Sequence, residues 1–405
     1  MTGHPTRRTV LAGAAVAAGT LAAPAIVKAQ QAPIRIGVLH PVTGALAQSG
    51  TLCRAGALLA IEHINAAGGI KSLGGARLEP VLADAQSRPE AGVAEIDKLN
   101  EAGVVAVQGP FASGIALATT QAAARHNLAH LVDVGVVDTI VSRGLTNTFR
   151  FGPGFGAITR MALDNLVRLN DGAGKIARTV MVIHEDSAFG AGMAKLMNDE
   201  LPKRGFEVVE TISHPTPQRD FTNIALRARQ ARPDLIIPSN YFNEFVLMAR
   251  TFQQQRVSVK GIYAVLGGAA SNIRFVREHA EAAENIMDCN HWYDPRKAQS
   301  QAFAAGLATK NVDLTYETML NYACMQVLAD ALERAASRDR GKVIEALASS
   351  TFADHIMPYG PTKFENGQNT GAQPVNTQVI KGRIEVIFPQ AFASAEPVFP
   401  MPPRG

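Results

Sequence analysis

From Pro33 onward, short apolar runs alternate with longer stretches whose apolar positions recur every three or four residues. "IRIGVL" (34–39) is such a run, and "GTLCRAGALLAIEHINAAGG" (50–69) has helical spacing ending in a glycine pair suited to a helix C-terminus. "RLEPVLAD", "VVAVQG" and "AHLVDVG" read as strands, separated by the helical stretches "PEAGVAEIDKLNEAG" and "GIALATTQAAARHN". A second succession follows "NTFRFGPGFG" (147–156): strands at "TVMVIHED", "FEVVETI" and "DLIIPSN", with helices at "AFGAGMAKLMNDELPKRG", "DFTNIALRARQARP" and "EFVLMARTFQQQ". Strands that alternate with helices imply parallel sheets covered on both faces. Two such units in one chain predict an α/β protein of two doubly wound lobes. Helices return at 296–310 and 316–337, and the turn-rich "YGPTKFENGQNTG" precedes a hairpin with Lys381-Gly382 at its turn.

The first 29 residues stand outside this pattern. Arg7 and Arg8 precede an apolar run from Val10 to Ala23, and Val27-Lys28-Ala29 offers small residues for cleavage near Ala29. This is the layout of an export signal, and the paired arginines resemble a twin-arginine one. The run of about 14 residues is short of the roughly 20 that span a bilayer, so an exported, periplasmic product is expected. Setting Arg7, Arg8 and Lys28 aside reduces 39 Lys+Arg to 36 against 35 Asp+Glu, so the formal charge falls from +4 to +1 and gives no case for nucleic acid. Cys53, Cys289 and Cys324 are widely spaced and odd in number, unlike a zinc or redox pair. At least one buried free thiol is expected, and pairing of the others stays open.

Catalytic and cofactor motifs are missing where they would be needed. The first strand-to-helix turn, "HPVTGALAQSG", lacks the glycine pattern of a dinucleotide site, and neither a phosphate-binding loop nor GxSxG occurs. His184, Glu185 and Asp186 end a strand, but no second cluster completes a metal shell, and Asp186 or Ser187 is read as a helix cap. Neither an enzyme nor a cofactor is expected. "VQGPFASGIALAT" (107–119) remains, a glycine-framed turn with one hydroxyl, Ser113, and no lysine.

Taken together, "GVLHPVTGALAQSG…AGALLAIEHINAAGGI", "VQGPFASGIALA", "VMVIHEDSAFGAGMA", "GFEVVE" and "KFENGQN…QVIKG" resemble periplasmic solute-binding proteins of the leucine/isoleucine/valine-binding type, over residues 33–390. The resemblance implies two lobes joined by three crossover strands, closing on a ligand. Residues 32–152 with 289–358 would form the first lobe and 153–288 with 359–405 the second. It implies a monomer that delivers a small carboxylate to an ABC permease; the alternative is delivery of a ligand signal to a membrane sensor.

Ligands of open parallel sheets sit beyond the strand ends, where helix N-termini offer N–H groups and a positive dipole end to a carboxylate. Ser113 and Gly114 match the family's carboxylate position, the competing role for Ser113 being a cap of its own helix. By the same resemblance, Val134, Gly135, Val136 and Val137 form a ligand-holding loop, and Phe189, Tyr241 and Phe242 are aromatics packing over an apolar ligand. Three positions depart from the family pattern. Val136 or Val137 replaces a threonine, Leu266 replaces the acid that pairs with the ligand's ammonium, and Ser49 replaces an aromatic. An ammonium without an anion in a closed cleft is costly, so the expected ligand lacks an α-amino group unless Asp138 or Glu244 swings in.

Overall fold

The computed structural model describes residues 31–403; the expected export signal lies outside the described residues. The first strands and helices alternate as β1 (Ile34–His40), α1 (Ala47–Ala66), β2 (Leu78–Asp84), α2 (Pro89–Glu101), β3 (Ala106–Gln108), α3 (Ser113–Ala124), β4 (Ala129–Val132) and β5 (Thr148–Arg150). The second succession runs α4 (Phe155–Gly172), β6 (Thr179–Glu185), α5 (Ala188–Glu200), β7 (Glu207–His214), α6 (Thr222–Ala231), β8 (Leu235–Ser239), α7 (Phe242–Gln254) and β9 (Gly261–Val265), then α8 (Ile273–Glu278), α9 (Ala280–Ala283) and β10 (Met287–Asn290). Helices α10 (Ala298–Thr309), α11 (Tyr316–Ala335) and α12 (Arg340–Ala348) follow. Two hairpins end the chain, β11 (Phe364–Glu365) with β12 (Gln368–Asn369) and β13 (Val375–Ile380) with β14 (Arg383–Phe388).

Two seven-stranded sheets result, in the orders β11-β12-β5-β4-β3-β1-β2 and β14-β13-β10-β9-β8-β6-β7. Pairing is parallel except at β11–β12, β13–β14 and β10–β13. The alternation of side chains along a strand explains why each sheet needs helices on both faces. On β6, Met181 and Ile183 pack with α6, α7 and α8, whereas Val180 and Val182 pack with α4 and α5. In the first lobe, α11 lies against α1, and its buried face includes Met319, Leu320, Ala323 and Leu328.

Both hairpins turn on a dipeptide with positive φ at both positions, Asn366-Gly367 and Lys381-Gly382, as a two-residue turn between twisted strands requires. The first corrects the expected lobe boundary. The expected second lobe includes residues 359–405, but β12 pairs with β5, placing the β11–β12 hairpin in the first sheet. The chain thus passes between sheets after β5, after β10 and between β12 and β13. Cys53, Cys289 and Cys324 are all buried and free. Among the described residues, no helix is long and apolar enough to cross a membrane.

Candidate functional site

The strand ends of the two sheets face one another across a small cavity. From the first lobe come Phe111 and Ser113 between β3 and α3, Val134 and Val136 after β4, and Tyr316 at the start of α11. The second lobe supplies Phe189 on α5, Asn240 and Tyr241 after β8, and Leu266 and Gly268 after β9, while Asn290 stands at the β10 crossover. The cavity measures about 30 Å³, room for about two waters. Aromatic contacts bridge it. The Tyr241 ring lies 5.7 Å from that of Phe111, across the cleft, and 5.4 Å from that of Phe189. Admission of a larger molecule requires these rings, and the lobes carrying them, to part.

The turn that presents Ser113 is shaped by Gly109, whose φ is +129° and where a Cβ would run into the Leu39 carbonyl oxygen. Ala112, not Ser113, is the N-cap of α3, and its side chain makes no capping bond. Ser113 is the first helical residue. Its Oγ accepts N–H groups from Val136 (3.1 Å) and Val137 (3.4 Å) in the loop after β4. With the oxygen so engaged, the hydroxyl proton is free to be donated outward.

The loop after β4 is fixed from behind. Arg150, 2% exposed, donates from Nη1 to the Val136 and Val137 carbonyls (2.6 and 2.8 Å), from Nε to Gln368 (2.7 Å) and from Nη2 to Asp138 (3.1 Å). At the start of the loop, Asp133 accepts the Val134 N–H and lies 2.7 Å from His40 Nε2. His40, Cys53 and Asp133 form a buried cluster of metal-ligating types. The 2.7 Å between His40 and Asp133 is nevertheless a hydrogen-bond length, shorter than the about 3.3 Å that tetrahedral zinc geometry sets between two ligand atoms. The cluster braces the cavity wall.

Among the described residues, no charged side chain lines the cavity. Its field comes from backbone: α3, α5, α7 and α11 all begin at or beside lining residues, and each helix start carries about half a positive charge. The acids nearby are turned elsewhere. Glu185 accepts from Ser187 and the Gly190 N–H, and burial raises its pKa. Asp288 accepts from the Gly267 N–H, Ser271 and Asn290, while Glu317 accepts from Ser49. Burial pushes Asp288 and Glu317 each up to about 7. Burial, reinforced by Glu185, raises the Tyr241 pKa, which keeps its hydroxyl neutral.

Of the residues expected at a site, the cavity brings together Ser113, Val134, Val136, Phe189, Tyr241 and Leu266. Five stand elsewhere. Gly114 faces a neighbouring depression at the cleft mouth that also includes Glu185, Ser187 and Tyr241. Gly135 is packed against Ile140, Val132 and Ala116, where a Cβ would come within 3.1–3.2 Å of each. Val137 packs into the apolar clusters beside the loop, and Phe242 belongs to the core on the α6–α7 face. Ser49 is corrected outright: it points from α1 to Glu317 on α11 at 3.0 Å and opens no apolar space. Neither proposed ammonium partner lines the cavity. Asp138 pairs with Arg150, and Glu244 accepts the Gln218 N–H.

Sequence reasoning missed Phe111, Asn240, Gly268, Asn290 and Tyr316. Asn240 sits directly beside Tyr241 and Phe111 two residues before Ser113, so the strand-end rule applied two residues more widely reaches both. Tyr316 carried no such signal, because α11 approaches the cleft from a distant part of the chain. Leu266 takes the left-handed conformation, φ 57°, unusual for a branched residue and typical of constrained sites. At Gly268, a Cβ would come within 2.7 Å of the Phe242 nitrogen and 2.8 Å of the Asn240 oxygen.

Comparison with known proteins gives a consistent likeness. The profile of the family described as "Periplasmic binding protein" matches residues 33–383. Leu/Ile/Val-binding protein homolog 7 of Brucella melitensis biotype 1 is 27% identical over 405 residues, covering 95% of this chain and 97% of its own. The branched-chain amino acid transporter substrate-binding protein LivJ of Streptococcus pneumoniae, solved with isoleucine, superposes with a TM-score of 0.75 at 22% identity, covering 91% of this chain and 100% of its own. An ABC transporter solute-binding protein of R. palustris, solved with benzoate, superposes with a TM-score of 0.76 at 18% identity over 90% of this chain and 98% of its own.

Proposed function

Since this chain belongs to the periplasmic binding protein family, we propose that it is the extracytoplasmic receptor of an ABC importer for small apolar carboxylates that lack an α-amino group. The arrangement at Ser113 carries the reading. A hydroxyl whose oxygen already accepts two N–H groups, at the N-terminus of a 12-residue helix, is a directed donor for one carboxylate. The uncharged lining supports the second half of the proposal. An ammonium there would lose its hydration without meeting an anion, at a cost of several kcal/mol. Apolar and aromatic walls from Phe111, Phe189, Tyr241 and Leu266 suit a branched or aromatic body. The likeness to relatives that bind isoleucine and benzoate supports a ligand of this size with a carboxylate in common.

A thermal-shift screen of small carboxylates tests the proposal. A true ligand at 100 times its dissociation constant adds about 2.7 kcal/mol of stability and should raise Tm clearly. A screen in which amine-free branched and aromatic acids all leave Tm unchanged would refute the reading.

A further inference from the structure

Across the cleft from Ser113, the wall holds Asn240, whose side chain is fully buried. Its Nδ2 lies 2.9 Å from His214 Nε2, and the other ring nitrogen, Nδ1, lies 2.8 Å from the Pro215 carbonyl oxygen. A carbonyl oxygen only accepts, so Nδ1 carries the ring proton. Burial holds the His214 pKa below the ordinary imidazole value, so at neutral pH the ring is uncharged and Nε2 is an acceptor. Only the amide NH2 of Asn240 can face it. The orientation of the carboxamide is therefore set by its neighbours, with Oδ1 turned away from His214. That oxygen is buried and has no hydrogen-bond partner.

A buried acceptor left unpaired on a residue that lines the cavity is a polar group with a partner to come. We propose that Asn240 is a specificity-determining residue, accepting a hydrogen bond from a neutral O–H or N–H on the part of the ligand remote from its carboxylate. The inference rests on the carboxylate reading above and narrows it to carboxylates that carry such a donor. An ammonium is a poor candidate for the same place, because Asn240 offers a dipole and the lining offers no anion. Ser113 belongs to one lobe and Asn240 to the other, so a ligand bearing both groups ties the lobes together. A site with a committed polar partner rejects the analogue that lacks the matching group far more strongly than an apolar wall rejects a missing methylene.

The test is calorimetry on two matched pairs, benzoate against 4-hydroxybenzoate and phenylacetate against 4-hydroxyphenylacetate, with the natural protein and Asn240→Leu. In the natural protein, the hydroxylated member of at least one pair should bind at least about tenfold more tightly, which is about 1.4 kcal/mol. In Asn240→Leu that advantage should vanish. Equal affinities within both pairs, or an advantage that persists in a folded Asn240→Leu, overturn the inference and leave the carboxylate reading standing. Binding of none of the four acids overturns the inference, while the carboxylate reading is decided separately by the thermal-shift screen that includes branched acids. Should Asn240→Leu fail to fold, the tautomer of His214 decides in its place. A nitrogen-15 spectrum showing Nδ1–H supports the assigned orientation, and Nε2–H would turn the amide round and overturn it.

Discussion

Ser113 accepts hydrogen bonds from the Val136 and Val137 N–H groups and is positioned to give one to another partner, and this duality governs what its removal does. Ser113→Ala deletes the donor to a carboxylate, a loss of roughly 1.5–3 kcal/mol for a bond to a charge. It also strands the Val136 N–H, buried at 3.1 Å from the hydroxyl, at a further cost of about 1 kcal/mol to the unliganded protein. Calorimetry should therefore show at least a tenfold weaker ligand, with a modest fall in apo Tm. An affinity that does not change would confine Ser113 to bracing the loop. Asp288 and Glu317 give a second prediction at this scale. Burial holds each near 7, above the value near 4 of an unfolded carboxyl. The folded state binds these protons more tightly, so their contribution is complete below about pH 4 and is lost as pH rises to about 7. Urea melts should give a lower midpoint at about pH 8 than at about pH 5, and Glu317→Gln should narrow the difference. Single residues were legible in the sequence where a strand end and a helix start adjoin, as at Ser113, Phe189 and Tyr241. Ser49 was not, because its position on α1 is set by α11, some 268 residues away in the chain.

The loop after β4 is held in shape largely by a guanidinium. Arg150 ends β5, and its four hydrogen bonds join the loop's carbonyls to Gln368 of β12. Arg150→Met leaves the Val136 and Val137 carbonyls without their donor, at a cost of about 3 kcal/mol. Amide exchange over residues 134–138 should accelerate and ligand affinity fall about tenfold, with exchange in α10–α12 unchanged. Undisturbed exchange in the loop would contradict the role given to Arg150. The long elements were readable where an apolar period is strong, as in α2 and α7, or an apolar run is continuous, as in the fully buried β8. The three-residue β5 carries too little pattern to stand out, and nothing local to "FENGQN" shows that its hairpin joins β5 in the first sheet.

At the scale of the whole molecule, two sheets of the same width face each other across a cavity too small for any ligand beyond about two waters. The chain crosses between them three times, which permits hinge motion of the lobes while keeping the strand ends opposed. Parting the Phe111–Tyr241 contact is the opening step this geometry requires. Solution scattering should show compaction when a saturating ligand is added, and superposable profiles would argue against hinge closure. The two-lobe architecture was legible from the repeated alternation of strand and helix, whereas the closeness of the lobes depends on side chains meeting across them.

The central claim is that the cavity selects a carboxylate and excludes an ammonium, since neither Leu266 nor any other lining residue supplies an anion. Titration of phenylalanine against phenylpyruvate, and of leucine against its α-keto acid, in one buffer tests it most directly. The amine-free acid of at least one pair should bind at least tenfold more tightly, about 1.4 kcal/mol. Tighter binding of both amino acids would contradict the account and require an acid such as Asp288 to reach the ligand.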